Sequence, residues 1–467
     1  MDPEPVDGRA GKLASKVARR IEGEIIGLGW PIGDLLGSEL DLRERHGVSR
    51  SVLREAVRLV EHHRVGRMRR GPNGGLVVCA PDAGPATRAV VIYLEYIGTT
   101  IDHLINARLL LEPVAASLAA GRVSEEGIAR LRQTLRNEAD SGDEPRPPSQ
   151  GAHVVIGELS GNPALALFID VLARLTRRYA RESEVDRVKD DSNRGHVALV
   201  EAIIAGDAGL AASQVTRHLD AVAQRLPSLH EGRAAPTGFV EEPAAKLAEV
   251  VAARIHEAIA AAGWRIGEVV GSEADLLAHY GVSRAVLREA IRLLEYHAVA
   301  SMRRGPGGGL LITTPEPAAS IETMALYLDY RGVTGEDLRV VREAIELGTV
   351  RRVTARRAEP EVADRLERAI ARTGEPTAPG RTGADRFHIA LADLAGNPVL
   401  PLFLRITTEL WTRHGVNAAE PVQPGPEAAA EVEQIHRLIL RAVLDGDEPV
   451  ARHRMRRHLE ALAAWYR

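Results

Sequence analysis

The sequence predicts a mainly α-helical chain arranged as an internal duplication. Each half is expected to be a small helical domain with a β-hairpin, followed by an antiparallel helical bundle. Three observations carry this. The stretch GVSRSVLREAVRLVEHHRV, Gly47 to Val65, returns as GVSRAVLREAIRLLEYHAV, Gly281 to Val299, half the chain further on. Each copy is followed by a basic, glycine-rich segment, RMRRGPNGGLVV (Arg67 to Val78) or SMRRGPGGGLLI (Ser301 to Ile312). Aromatic residues are 3% of the chain against 45% hydrophobic residues, so cores must be built from Leu, Val, Ile and Ala, the mix of packed helices.

In order, Lys12 to Leu28 places Leu13, Val17, Ile21, Ile25 and Leu28 at a period close to 3.6, an amphipathic helix that Gly27, Gly29 and Pro31 stop. Ser38 with Asp41 three residues on reads as the capping box of a second helix, and Ser272 with Asp275 repeats it. Gly47 supplies the tight turn and Ser49 the cap of a third helix. Within that helix Leu53, Ala56, Val57 and Val60 form a core stripe, while Arg50, Arg54 and Arg58 stack at i, i+4 on another face. This is the order of a helix-turn-helix, with the third helix as reader of a groove. Two short strands, Arg67 to Arg70 and Leu76 to Val78, are joined by turn residues including Asn73 and Gly74, and are too few to stand alone, so they should lean on the helices as a wing.

From about Pro85 the pattern changes to long helices running to Leu226, interrupted by a proline-rich gap at Ser141 to Pro148. A linker rich in Gly, Pro and charge, Ser228 to Pro243, leads into the second half, which replays the order. The landmarks ELSGNPALALF (Glu158 to Phe168) and DLAGNPVLPLF (Asp393 to Phe403) fix the register of the bundles. The expected domains are 1–80, 81–230, 231–315 and 316–467.

The net charge of −4 does not announce a nucleic-acid binder, but binding needs a local basic face. From Leu42 to Arg70 there are nine Arg against three Glu; from Leu276 to Arg304 there are five against two. The single cysteine, Cys79, allows no disulfide within the chain and reads as a small strand residue. The start MDPEPVDG is acidic and carries prolines, unlike a signal peptide, and no apolar run approaches the roughly 18 residues of a membrane span. A cytoplasmic protein with no membrane partner is expected.

Arginine on a reading helix matters because its planar fork can donate to O6 and N7 of guanine in the major groove, while a glycine-rich wing lets backbone approach phosphates. In these motifs the heads resemble the GntR family of winged-helix regulators, and the bundles resemble the FCD effector domain of its FadR subgroup, over nearly the whole chain and twice. The resemblance implies that Ser49, Arg50, Ser51 and Arg54 sit at the groove with Arg70 and Gly71 at the wing tip. It implies the same for Ser283, Arg284, Arg288, Arg304 and Gly305 in the second head. The chain departs from the family pattern where Leu40 and Ala274 follow Ser-Glu in place of a basic residue. The second head also has Ala285 for a hydroxyl, and Ala298 and Ser301 where the first has Arg64 and Arg67, so weaker binding is expected of it.

His196 precedes Gly206 by ten residues and His218 follows it by twelve, so a chain reversal at the AGD turn returns both imidazoles to nearly the same height. His436, Gly446 and His458 repeat this, and His153 and His388 each precede the Gly-Asn-Pro landmark by the same distance. Three converging imidazoles suit a divalent ion such as Zn²⁺ or Ni²⁺. The resemblance implies a fourth ligand, an Asp one turn before the first His. That position is Ala384, with Asp385 displaced by one residue; the first bundle offers Ser149 and Gln150, so the metal is expected chiefly in the second bundle. Arg108 with Glu112, and Arg342 with Glu346, read as i, i+4 ion pairs, and the resemblance implies that the arginines face an effector carboxylate.

The expected function is a non-enzymatic, sequence-specific regulator, a repressor, that binds double-stranded operator DNA. A small acid effector would control it, and the chain would form a pseudo-dimer by itself or pair again as a homodimer. The alternatives are a metal-independent regulator answering to acyl-CoA or fatty acid, a metalloenzyme, and a non-specific architectural DNA binder.

Overall fold

The computed structural model describes residues 6–71, 74–140, 151–181, 186–225, 247–303, 305, 307–373, 385–416 and 426–465. The expected linker at Ser228 to Pro243, the proline-rich gap at Ser141 to Pro148, and Pro72, Asn73, Ser149, Gln150 and Arg304 lie outside the described residues.

The first head consists of α1 (Val6–Gly27), α2 (Glu39–His46) and α3 (Arg50–His62) with strands β2 (Gly66–Arg69) and β3 (Gly75–Val78). Its local chemistry follows the sequence. Ser38 and Asp41 form the capping box of α2, Gly47 ends α2 in the left-handed region at φ 63°, and Ser49 caps α3 by accepting from the Val52 amide. Leu53, Ala56, Val57 and Val60 are buried. A third strand, β1 (Leu35–Gly37), was not expected: it pairs with β3, giving the order β1-β3-β2. The close approach depends on Gly75, where a Cβ would meet the Gly37 carbonyl oxygen at 2.3 Å. The second head repeats the order in α11 (Leu247–Ala261), α12 (Glu273–Tyr280), α13 (Arg284–Tyr296), β4 (Ala300–Arg303) and β5 (Gly309–Ile312).

The first bundle contains α5 (Ile101–Arg122), α6 (Glu125–Asp140), α7 (Ala152–Leu159), α8 (Pro163–Arg181), α9 (Asp186–Ile204) and α10 (Ala208–Arg225). The second contains α15 (Gly335–Ala355), α16 (Pro360–Ala371), α17 (Asp385–Asp393), α18 (Val399–Val416), α19 (Pro426–Asp445) and α20 (Glu448–Trp465). By length and composition alone α5 is apolar enough to cross a bilayer, but it is a core helix of the bundle and carries the buried pair Arg108–Glu112.

One continuous core joins the two bundles. Phe168 and Phe403, the last residues of the two Gly-Asn-Pro landmarks, stack at 4.0 Å and 17°. Asn162 donates to the Asp337 carbonyl at 3.0 Å, and Asn397 to the His103 carbonyl at 2.9 Å. Each asparagine also caps its own helix through its Oδ1, so a residue that reads as a local turn signal clasps the opposite half.

The heads are exchanged. Helix α4 (Ala83–Tyr96) leads from the first head to the first bundle, yet its Ile92 is buried in the core of the second head. Helix α14 (Pro317–Tyr330) leads from the second head, yet its Leu326 is buried in the core of the first. Trp30 packs edge-on against Tyr330 at 5.1 Å and Trp264 against Tyr96 at 5.2 Å; Arg19 pairs with Glu322 at 3.0 Å. Each buried aliphatic contributes about 1.5–3 kcal/mol to this docking. The reading helices meet at their C-terminal ends, where His62 packs on Tyr296 and His297 at 4.6 and 5.4 Å. There His63 bonds to Glu22 at 2.5 Å and to the Tyr296 hydroxyl.

Candidate nucleic-acid interface and metal centres

The reading face of the first head is exposed and organised by a residue that the sequence did not single out. Glu39, the first residue of α2, accepts from Arg50 Nε at 2.8 Å and Arg54 Nε at 3.2 Å. Both guanidinium groups remain more than half exposed. The Arg50 hydrogen bond holds the Glu39 carboxyl below the usual carboxylate range. Arg58 pairs instead with Glu55. Ser49 and Ser51 share a hydrogen bond of 3.0 Å between their hydroxyls. Arg70 is exposed after β2, and Gly71 turns the wing at φ 104°, a conformation that favours glycine.

In the second head Ser283 caps α13, Arg288 faces Glu273 at 3.4 Å, and Arg284 is exposed. Gly305 turns the wing at φ 100°. Ala285 cannot reproduce the Ser49–Ser51 contact. One difference between the heads loses its expected meaning. Arg64 pairs with Asp82 and, at 3.6 Å, with Glu249 of α11, so it ties the two heads together rather than facing a groove. Its counterpart Ala298 shares the positive φ of that turn, and its lack of charge costs the reading face nothing.

The histidine arithmetic is reproduced in space. His153 Nε2 stands 3.1 Å from His196 Nε2 and 3.2 Å from His218 Nε2. In the second bundle His458 Nε2 stands 3.2 Å from His388 Nε2 and 3.0 Å from His436 Nε2. Three nitrogens bound to one tetrahedral ion at Zn–N distances of about 2.0–2.1 Å would lie about 3.3 Å apart. Both sets therefore fit a divalent cation closely. Burial lowers the pKa of His153 to about 4 and that of His458 to about 3, and holds His388 and His436 well below the usual histidine range. These rings are neutral at pH 7, the protonation state of a ligand.

The carboxylates behind the rings differ between halves. In the first, Glu112 Oε2 lies 2.6 Å from His153 Nδ1 and Glu138 accepts from His196 Nδ1 at 2.8 Å. In the second, Glu346 meets His388, while His436 stacks on Phe387 at 4.3 Å and its Nδ1 has no hydrogen-bond partner among the described residues. The pairs Arg108–Glu112 and Arg342–Glu346 are both formed and buried, at 2.5 Å. Each arginine thus stands one carboxylate away from an imidazole cluster. Burial pushes Glu112 up, but Arg108 and His153 outweigh it and hold its carboxyl well below the ordinary range.

Asp385, offered by the sequence as a fourth ligand, lies outside the three-imidazole group, with its Oδ1 3.5 Å from Arg342. The physical reason is rotation: one residue of displacement turns a side chain by about 100° around the helix. Outer carboxylates orient ligand histidines, and the first bundle places two of them, Glu112 and Glu138, behind its rings where the second places Glu346. Glu138 carried no sequence signal, since a lone Glu late in an amphipathic helix is ordinarily solvated.

Comparison with known proteins gives concordant matches. The FCD domain model matches residues 103–221 and 337–461, and the model of bacterial regulatory proteins of the gntR family matches residues 247–309. The putative HTH-type transcriptional regulator RmpR of Mycobacterium gastri is 33% identical over 215 residues, 43% of this chain and 77% of its own length. The Uxu operon regulator of Haemophilus influenzae is 24% identical over 216 residues, again 43% of this chain and 77% of its own. A putative L-lactate dehydrogenase operon regulatory protein of Escherichia coli is 27% identical over 223 residues, 46% of this chain and 84% of its own.

Proposed function

The chain belongs to the GntR family of bacterial regulatory proteins, a DNA-binding regulator and not an enzyme, and from that premise we propose a tandem duplication of one FadR-type repressor folded as a pseudo-dimer. Under this reading the four domains are 1–80, 81–230, 231–315 and 316–467. Arg50, Arg54 and Arg70 with Arg284, Arg288 and Arg304 would read and grip two half-sites of one operator. A single chain would offer both heads, because the contacts that would join two protomers are already made internally by Phe168, Phe403, Asn162 and Asn397.

The controlling signal is a small carboxylic acid. The observation that carries this is the convergence of three imidazole nitrogens at 3.0–3.2 Å in each bundle, beside a buried arginine. His153, His196 and His218, and His388, His436 and His458, would hold a Zn²⁺ or Ni²⁺ ion, which supplies an open coordination position for a carboxylate oxygen. Glu112, Glu138 and Glu346 orient the rings, and Arg108 and Arg342 add positive charge near the site. One relative is named for an L-lactate dehydrogenase operon, so L-lactate is the first acid to try. Metal analysis of the purified chain should find up to two ions, with one fewer in His436→Ala; footprinting with and without L-lactate then reads the coupling. A metal-free protein that still answers to acids would overturn the metal, and an acyl-CoA response would replace the effector class.

A further inference from the structure

The two heads share a fold and differ in what they present to a groove. Their buried stripes match: Leu53, Ala56, Val57 and Val60 of α3 correspond to Leu287, Ala290, Ile291 and Leu294 of α13. Both capping boxes and both serine caps are formed as well. Packing constrains the two heads alike, so it does not account for the differences at their exposed positions.

Three of those differences lie on the reading side. At the second residue of the reading helix Ser51 is exposed and shares a 3.0 Å hydrogen bond with the Ser49 hydroxyl; the second head exposes Ala285 there. Next to Glu39, Leu40 is 52% exposed on the first turn of α2, and its counterpart is Ala274. That turn stands against the reading helix, because Glu39 accepts from both Arg50 and Arg54. The third difference lies in this brace. Among the described residues Glu273 pairs with Arg288 at 3.4 Å and not with Arg284.

These are differences of kind. A serine hydroxyl donates to or accepts from the polar edge of a base, whereas an alanine methyl group is matched by the methyl group of thymine. A half-exposed leucine gains by covering a thymine methyl group, since apolar area then leaves water; Ala274 lacks the reach to do the same. In a homodimer such preferences repeat on both half-sites, and the operator mirrors the two-fold axis. Here the two sets belong to one chain, and crossed contacts hold its heads: Ile92 lies in the core of the second head and Leu326 in that of the first.

On the premise that the heads bind an operator, we infer that this operator is directional, with two unlike half-sites bound in one fixed orientation. Ser51 and Leu40 with their counterparts Ala285 and Ala274 determine the difference. At the base pair facing Ser51 the first head takes a hydrogen-bonding edge, while the second selects thymine at the pair facing Ala285. At the pair facing Leu40 the first head selects thymine, and beside Ala274 the second is indifferent. The second head is thus a different reader rather than a weaker copy of the first, and the sequence of the site fixes which head faces each flank of the DNA.

The test is selection of random duplexes by the full chain, followed by gel-shift titration of the selected site and of the two palindromes built from its halves. The selected site should be asymmetric and should bind about tenfold or more tighter than either palindrome, the cost of mismatched base pairs under one head. The double variant Ala285→Ser with Ala274→Leu installs first-head residues at two exposed positions, and should move the optimum to the palindrome of the first half-site. Orientation is read independently from Cys79, the single cysteine, which is half-buried just after β3 of the first head and has Thr313 as its counterpart. An iron chelate attached there should cleave the duplex beside one half-site only. A palindrome that binds as tightly as the selected site overturns the inference, as does cleavage beside both half-sites or an unmoved optimum in the double variant. Enrichment of no sequence at all would instead overturn the operator-binding premise, and the inference with it.

Discussion

Phe403→Ala strikes the contact that makes two bundles into one body. The ring is fully buried and stacked on Phe168 at 4.0 Å, within a core that contains residues of both bundles. Removing a buried Phe costs about 3–5 kcal/mol through lost transfer energy and the cavity left behind. The stacked ring pair adds about 0.5–1.5 kcal/mol. Against a typical total stability of about 5–15 kcal/mol, most of the protein's margin is at stake. Phe403→Leu keeps much of the volume and should cost far less. Urea unfolding followed by far-UV circular dichroism and by tryptophan fluorescence provides the assay. Trp30 and Trp264 report from the two heads, each through a stack that crosses between the halves, and Trp411 and Trp465 report from the second bundle. One coincident transition is expected for the parent chain, moved to lower urea by Phe403→Ala. A cost below about 1 kcal/mol would refute the shared core; so would separate transitions by the two probes in the parent.

Other expectations follow from the heads and their contact. Arg54→Ala should cost about 1–3 kcal/mol in operator affinity and relax specificity at one base pair; an unchanged footprint would remove Arg54 from the reading face. Glu39→Gln should raise affinity for random duplex a few-fold while lowering the ratio of operator to random binding, because the repelled carboxylate also positions Arg50 and Arg54; gel-shift titration at fixed salt measures both. Burial, then Arg88, His63 and His256, lower the pKa of His297 to about 3. Its unfolded value lies near 6.5. Between these two values the unfolded state binds the extra proton, so the contribution of His297 is complete above about pH 6.5 and is lost as pH falls toward 3. His297→Phe should flatten that part of the stability profile, and an unaltered slope would contradict the burial of this ring.

What was legible in the sequence is chemistry set by a few neighbouring residues or by counting along a helix. Ser38 with Asp41, Gly47 and Ser49 act within one turn of chain, and they recur at Ser272, Asp275, Gly281 and Ser283. The histidines were legible because rise per residue and a turn fix their height, whatever the bundle does elsewhere. Asp385 lies beside Arg342 and outside the imidazole group, since one residue of displacement turns a side chain by about 100° around the helix. The head exchange left no periodic trace: Trp30 with Tyr330, or Arg19 with Glu322, joins residues some three hundred positions apart. Strand β1 is three residues long and was signalled only by paired glycines, Gly37 and Gly75. Glu39 and Glu138 look like solvated carboxylates until the third dimension places arginines and an imidazole beside them.

The claim that one polypeptide supplies both halves of a regulator is most directly tested by the mass of its complex with an operator duplex. Native mass spectrometry or sedimentation should give one 50.4 kDa chain per duplex, with both half-sites protected in the footprint of that complex. Two chains per operator, each protecting one half-site, would contradict it.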